Sequence, residues 1–481
     1  MKNQLEKIRK VRWSSVLLNV LMLYFLLRPM LHWMVAVPQV VYTAAWNNLL
    51  WFGMAGYLLG SGRIGREQGG KLLLTGVAWM IISAALRGTI VLNDNLNCIA
   101  VAVYAYVVCY GFAFCLQENG LKRFLQVLCA CWTAIVAAMS VLSVISAVTG
   151  VRINNMLLTQ YIAIDPAYMR LNMFDYCTFA AALLSASMVF ALLGAAMHQT
   201  KIAKLLYIVS LVPMYAALCL TDGRTAIITF GLGLGLFGAI ALWHLLQEKG
   251  KSRLLAAATG LVLIVGCIAA AYIGMPLVMD AVNNAAQKPS AVMTAAGAES
   301  EAQTINADNA DEAVQAAEPT TAPAAAVKHR KANATLSGRT AIWEATFNLM
   351  KSEPDTLLIG TTPAKFMDRI AVYNHSNQVY GHSHCMYLQI LAELGIPGFI
   401  LCLLFLWQFA KAAWKLVFGK GIVFWKRYLA VLPVTILVSE LIECVTLVRE
   451  NKPTLGLLLL SMGAVIALAR MEKLKANSSA V

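Results

Sequence analysis

Charged residues are scarce in this sequence. Asp, Glu, Lys and Arg together make up 13% of its 481 residues, against about 25% in a soluble globular chain. Hydrophobic residues reach 59% and the mean hydropathy is +0.67, more apolar surface than one aqueous core buries, which excludes the soluble classes. A disulfide framework is also missing. Of the 11 cysteines, all but Cys385 lie in or beside apolar runs, where they read as small core residues. The basic leader and first apolar run lack a small-x-small cleavage pattern, so that run reads as a retained anchor. No repeat relates the two halves of the chain, as inverted-repeat transporters require.

What is present is a succession of apolar runs near the roughly 20 residues that a helix needs to cross a bilayer. They fall at 13–27, 40–60, 72–92, 98–117, 124–148, 176–197, 204–221, 225–246, 254–279, 396–414, 428–448 and 454–470. This predicts an all-α polytopic membrane protein of about 12 transmembrane helices. The net charge of +14 belongs to topology and not to nucleic acid. With the N-terminus inside, more than half of the 38 Lys and Arg residues sit in short inner segments, as retention of basic residues on the cytoplasmic side requires. Both termini are therefore expected in the cytoplasm, with the chain multi-pass in the cytoplasmic membrane.

Two connections are long, 149–175 and 280–395, and both fall on the outer face, where long loops tend to carry function. Residues 280–336 are rich in Ala, Glu, Pro and Thr and poor in aromatics, and read as a low-complexity, disordered insertion. The chain thus divides into helices 1 to 9 over 1–279, the insertion, an extracytoplasmic loop with short helices over 337–395, and the last three helices with a cytoplasmic tail over 396–481. In that loop Ile342, Trp343, Phe347 and Met350 are helically spaced, with Ser337 as N-cap and Pro354 just past the end.

Three places on the outer side offer chemistry. Arg224, in TDGRTAII, sits at a membrane edge. Exposure to hydrocarbon would cost it at least about 2.5 kcal/mol, so it faces a polar cavity or snorkels at the interface. Arg339 opens the loop helix with Trp343 on its face, and alone it reads as a surface charge. Two outer-face arginines do suit a diphosphate, because each planar fork makes parallel charge-assisted bonds and keeps its charge. His382 and His384 open GHSHCMYLQILAELGIPG. They read as rim residues, as a metal site with His375 and Cys385 that meets no familiar zinc spacing, or as a general base that works near neutral pH. Gly233, Gly235 and Gly238 spell G-x-G-x-x-G inside an apolar run with no preceding strand, which predicts close helix packing and no dinucleotide. Glu440 and Glu443, ionisable groups within a span, point to a pathway or a buried partner and keep a polysaccharide or lipid transporter or flippase in play.

HCMYLQILAELGIPG resembles the signature of the O-antigen ligase and polymerase family. His384 leads, Cys385 stands where Asn, Ser or Gln is usual, nine residues follow, and Gly395 and Gly398 close a Gly-x-x-Gly. SGRTAIW resembles the family's Ser-Gly-Arg with Trp four residues on. GTTPAKF resembles its Gly-x-Gly-x-x-x-Phe with Thr362 in place of the second glycine, and TDGRTAII resembles its earlier arginine motif. The resemblance implies a GT-C-like glycosyltransferase that needs no metal or other cofactor. Its donor would be a glycan on polyprenyl diphosphate and its acceptor a hydroxyl of a glycan or glycolipid, in O-antigen ligase-like assembly of surface polysaccharide or lipopolysaccharide in the cell envelope. A polymerase that moves the glycan onto another lipid-linked repeat shares the signature. On this resemblance His384 activates the acceptor hydroxyl and Arg224 and Arg339 bind the diphosphate. His382, Trp343, Tyr387, Glu393, Gly395 and Gly398 support them.

Overall fold

A computed structural model of the chain describes residues 19–24, 26–27, 30, 68–113, 116–151, 153, 162–165, 170–173, 177–287, 339–373, 382–444 and 452–478. Among these residues, 9 helices are long and apolar enough to cross a bilayer, so the chain is an all-α, multi-pass membrane protein. The first seven are α1 (Gln68–Leu86), α2 (Asn93–Tyr106, prolonged by a π-helical turn Val107–Phe112), α3 (Glu118–Thr149), α4 (Cys177–Met197), α5 (Lys201–Leu220), α6 (Arg224–Glu248) and α7 (Arg253–Gln287). Three short helices follow: α8 (Arg339–Ser352), α9 (Pro354–Ile359) and α10 (Phe366–Tyr373). Then come α11 (Met386–Phe418), the short pair α12 (Phe424–Leu429) and α13 (Val431–Ser439), and α14 (Lys452–Ser478).

The long helices coincide with all but three of the apolar runs. Run 40–60 lies outside the described residues, and so does most of 13–27, of which 19–24 are helical. Run 428–448 is not one helix. It breaks between α12 and α13, because Pro433 offers no N–H to the carbonyl of Leu429. It ends in turns after Ser439, where the carbonyl of Glu440 accepts the backbone N–H of Met386 at 3.0 Å. Helix α7 runs on to Gln287, into the first residues read as insertion; residues 288–338, with Ser337, lie outside the described set. In the other long connection a small hairpin forms, β1 (Ala163–Asp165) antiparallel to β2 (Arg170–Asn172) with Asp165 opposite Arg170.

The glycines of α6 are packing surfaces. A Cβ on Gly231 would lie 2.7 Å from Cα of Ile268, one on Gly235 2.6 Å from Cα of Ile264, and one on Gly238 2.7 Å from Cδ2 of Leu263, so α6 and α7 touch backbone to backbone. Gly233 faces the other way, against Val189 of α4 and Thr435 of α13. Gly235→Ala is expected to cost about 1–3 kcal/mol by forcing the pair apart. Gly266→Ala, on α7 with nothing within 4 Å of the new methyl, is expected to be neutral or stabilising. Thermal melting of the purified variants checks the contrast.

Outside the bundle, α8, α9, α10 and the start of α11 bury a second core of Ile342, Ala345, Met350, Phe366, Ile370, Leu388 and Ala392. Phe347 is 56% exposed and does not join it. At 3.6 residues per turn it lies about 140° round the helix from Ile342, and Thr346 and Leu349 complete the buried face instead. The loop is tied to α1 by bonds from Trp79 Nε1 to the carbonyl of Leu394 (2.7 Å) and from Arg87 Nε to that of Gly360 (2.9 Å). At Gly395 the backbone turns out of the helix (φ 67°, ψ −175°). Residues 386–394 therefore form a helical stretch set off by a kink from the part of α11 that begins at 396.

Candidate active site

Loop and bundle meet around a cavity of about 220 Å³ whose lining includes Arg170, Asp222, Arg224, Arg339 and Glu443. Among the described lining residues, three are arginines and two carry carboxylates. The first turns of four helices also contribute: Thr178 of α4, Arg224 of α6, Arg339 of α8 and Thr454 of α14. None of these first turns contains an acidic residue. The positive ends of four helix dipoles thus add to the arginines, an arrangement suited to an anion.

Local chemistry explains how each residue reaches the cavity. In TDGR the chain reverses between α5 and α6, with Asp222 in the left-handed region (φ 49°). Only glycine fits next, since a Cβ on Gly223 would lie 2.4 Å from that of Ala181. This sets Arg224 at the head of α6. The Asp222 side chain is wholly buried, with one oxygen 3.2 Å from Nη2 of Arg170 and the other 3.7 Å from Nε of Arg224.

Arg339, at the head of α8, pairs with Oε1 of Glu443, and the other oxygen of that carboxylate lies 3.3 Å from Nδ1 of His384. Glu443 therefore joins the loop arginine to the histidine segment, and the Arg339 guanidinium is only 18% exposed, so it is not a solvated surface charge. Trp343, one turn on from Arg339, donates from Nε1 to the carbonyl of Ser383 at 3.0 Å. Gln389 accepts from the N–H of Ser383 at 3.2 Å and donates to Glu393 at 2.8 Å. The Tyr387 hydroxyl donates to the carbonyl of Leu437 at 3.0 Å. Trp343, Tyr387 and Glu393 thus hold the segment and do not line the cavity.

Gly395 and Gly398 are contact points. A Cβ on Gly395 would lie 2.9 Å from the Leu358 backbone, and one on Gly398 2.4 Å from Cβ of Leu394 and 3.3 Å from Trp79. The N–H groups of Thr361 and Thr362 donate to the carbonyls of Ala392 and Glu393 at 2.9 and 3.0 Å. Thr362 itself has φ 70°, a backbone that favours the glycine it replaces. Among the described residues the non-glycine positions with positive φ are Asp222, Thr362 and His384 (φ 54°). Each falls in one of the quoted motifs, and strain of this kind, about 1–3 kcal/mol a residue, gathers at functional sites.

His382 lies beneath His384, with ring centroids 4.1 Å apart, and its Nδ1 accepts the backbone N–H of His384 at 3.2 Å. Burial, then the neighbouring His384 and Arg339, push its pKa down to about 3. It is neutral at pH 7 and remains an acceptor. The sign follows: an unfolded imidazole takes up a proton near pH 6.5 and the folded one only near 3, so stability is full above 6.5 and falls as pH drops through that window. The protection factors of residues 382–385 against hydrogen exchange, corrected for the intrinsic pH dependence of amide exchange, are expected to fall from pH 7 to pH 5, and His382→Asn is expected to flatten that dependence.

Among the described residues no group of three His, Cys, Asp or Glu side chains forms a metal site; His375 lies outside them. Two lining residues escaped the sequence reading. Asp222 lay inside a quoted motif, unremarked beside its arginine, and Arg170 lay in a long connection with no motif to mark it.

Residues 209–403 match the family model for O-antigen ligase, a stretch that carries Arg224, Arg339, His382 and His384. Arg170 and Glu443 lie outside it. No curated protein matches the chain.

Proposed function

We propose, from the O-antigen ligase match and the arginine-lined cavity beside it, that this is a GT-C-like glycosyltransferase of about 12 spans in the cytoplasmic membrane. Both termini lie in the cytoplasm and the cavity opens on the outer face. There a glycan carried on polyprenyl diphosphate passes to a hydroxyl of a glycan or glycolipid acceptor, in surface polysaccharide assembly. The orientation is supported by the basic ends of the helices away from the cavity, with Lys249, Lys251 and Lys420 in their connections and Lys201 and Arg253 at helix starts. The observation that carries the reading is the meeting of Arg224, Arg339 and, through Glu443, His384.

Roles follow from the chemistry of these groups. Arg224 and Arg339 hold the diphosphate by charge-assisted bonds and stabilise the negative charge that grows on it as the bond to the anomeric carbon breaks. His384 donates its Nδ1 proton to Glu443, which leaves Nε2 with a lone pair aimed away from the carboxylate. Nε2 takes the proton of the acceptor hydroxyl, the hydroxyl oxygen bonds to the anomeric carbon, and the diphosphate leaves with the electron pair of the broken C–O bond. Glu443 then faces an imidazolium. A transporter would need Glu443 as a group along a pathway; its ties to Arg339 and His384 favour the enzyme.

Reconstitution of the purified protein with a polyprenyl-diphosphate oligosaccharide tests the proposal. Product formed only when a second acceptor is added supports a ligase, and a ladder of lengths from donor alone makes it a polymerase. Donor that stays intact with every acceptor yet crosses the bilayer overturns the enzyme reading.

A further inference from the structure

We infer that Arg170 is a third diphosphate-binding residue and that Asp222 is the positioning residue that sets it beside Arg224; this rests on the proposed donor and adds to it. Among the described lining residues Arg170 is the third guanidinium, beside Arg224 and Arg339.

Geometry supports the same assignment. The hairpin carries Arg170 to the cavity wall, where Nη2 donates to the carboxylate and carbonyl of Asp222 at 3.2 and 3.4 Å and Nη1 lies 3.6 Å from Sγ of Cys177. Its Nε is buried with no hydrogen-bond partner among the described residues, a costly state for a charged donor that a phosphate oxygen relieves. Asp222 faces two arginines from different elements, Arg170 of β2 and Arg224 of α6, and so holds two forks side by side. The left-handed backbone and complete burial of Asp222 fix that arrangement before any ligand arrives.

The test is binding of inorganic pyrophosphate to the full-length protein in lipid nanodiscs. Arg170→Gln is expected to weaken it about 10- to 100-fold and to make it less sensitive to salt. Asp222→Asn is expected to weaken binding in the wild-type background and to have less effect when added to Arg170→Gln, a coupling that a merely structural role would not show. If Arg170→Gln does not fold, Arg170→Lys decides, since it keeps the charge and loses the fork: weaker binding supports the inference and wild-type binding overturns it. A folded Arg170→Gln protein within about twofold of wild type, while Arg224→Gln and Arg339→Gln bind weakly, overturns the inference alone. Wild-type affinity in all three variants overturns the diphosphate reading itself.

Discussion

Replacing His384 by Ala is expected to slow glycan transfer about 10²- to 10⁴-fold, with protein level near wild type and lipid-linked glycan accumulating in the cell. The imidazole is only 24% exposed, and Glu443 holds its Nδ1. Loss of the ring removes a base and little packing. Backbone strain is a separate matter, because residue 384 has φ 54° and Ala tolerates that region less well than Asn. His384→Asn separates the two effects. It is expected to melt higher than the Ala variant and to be equally slow; restored turnover in the Asn variant would mean that backbone shape, and not proton transfer, limits the reaction.

Glu443→Gln is expected to lower turnover about 100-fold or more without weakening pyrophosphate binding. The two results discriminate because they move apart. Gln keeps the size and one acceptor, but it no longer stabilises an imidazolium on His384 or neutralises Arg339. The lining gains net positive charge at the same time, so affinity for the diphosphate holds or rises. A residue that acted only by keeping α8 docked would lose both together, since breaking a buried pair from one side costs about 3–5 kcal/mol. Parallel loss of melting temperature, binding and turnover in Glu443→Gln would assign it that structural role.

The membrane helices were legible because crossing a bilayer demands long apolar runs whatever the neighbours are, and α3 to α7 follow their runs closely. Run 428–448 was legible as apolar in the same way, but apolarity does not show that Pro433 and the bond from Met386 to Glu440 interrupt its helix. Arg224 and His384 stood out as polar groups at the edges of apolar runs, and Arg339 through the motif SGRTAIW. Their meeting did not, because Glu443, which joins two of them, is 59 residues from His384 and 104 from Arg339. Helical spacing grouped Phe347 with Ile342, Trp343 and Met350, and only the packing of α8 against α10 and α11 shows which face is buried. Arg170 had no local signal at all, since what brings it to the cavity is a contact with Asp222, 52 residues away.

The most direct measurement is an electron cryomicroscopy structure of the protein with a polyprenyl-diphosphate oligosaccharide bound. The account predicts the diphosphate in the cavity within hydrogen-bond distance of Arg224 and Arg339, with the anomeric carbon on the His384 side and the lipid tail among the spans. A diphosphate bound elsewhere, or a sugar that His384 Nε2 reaches neither directly nor through one water, would contradict it.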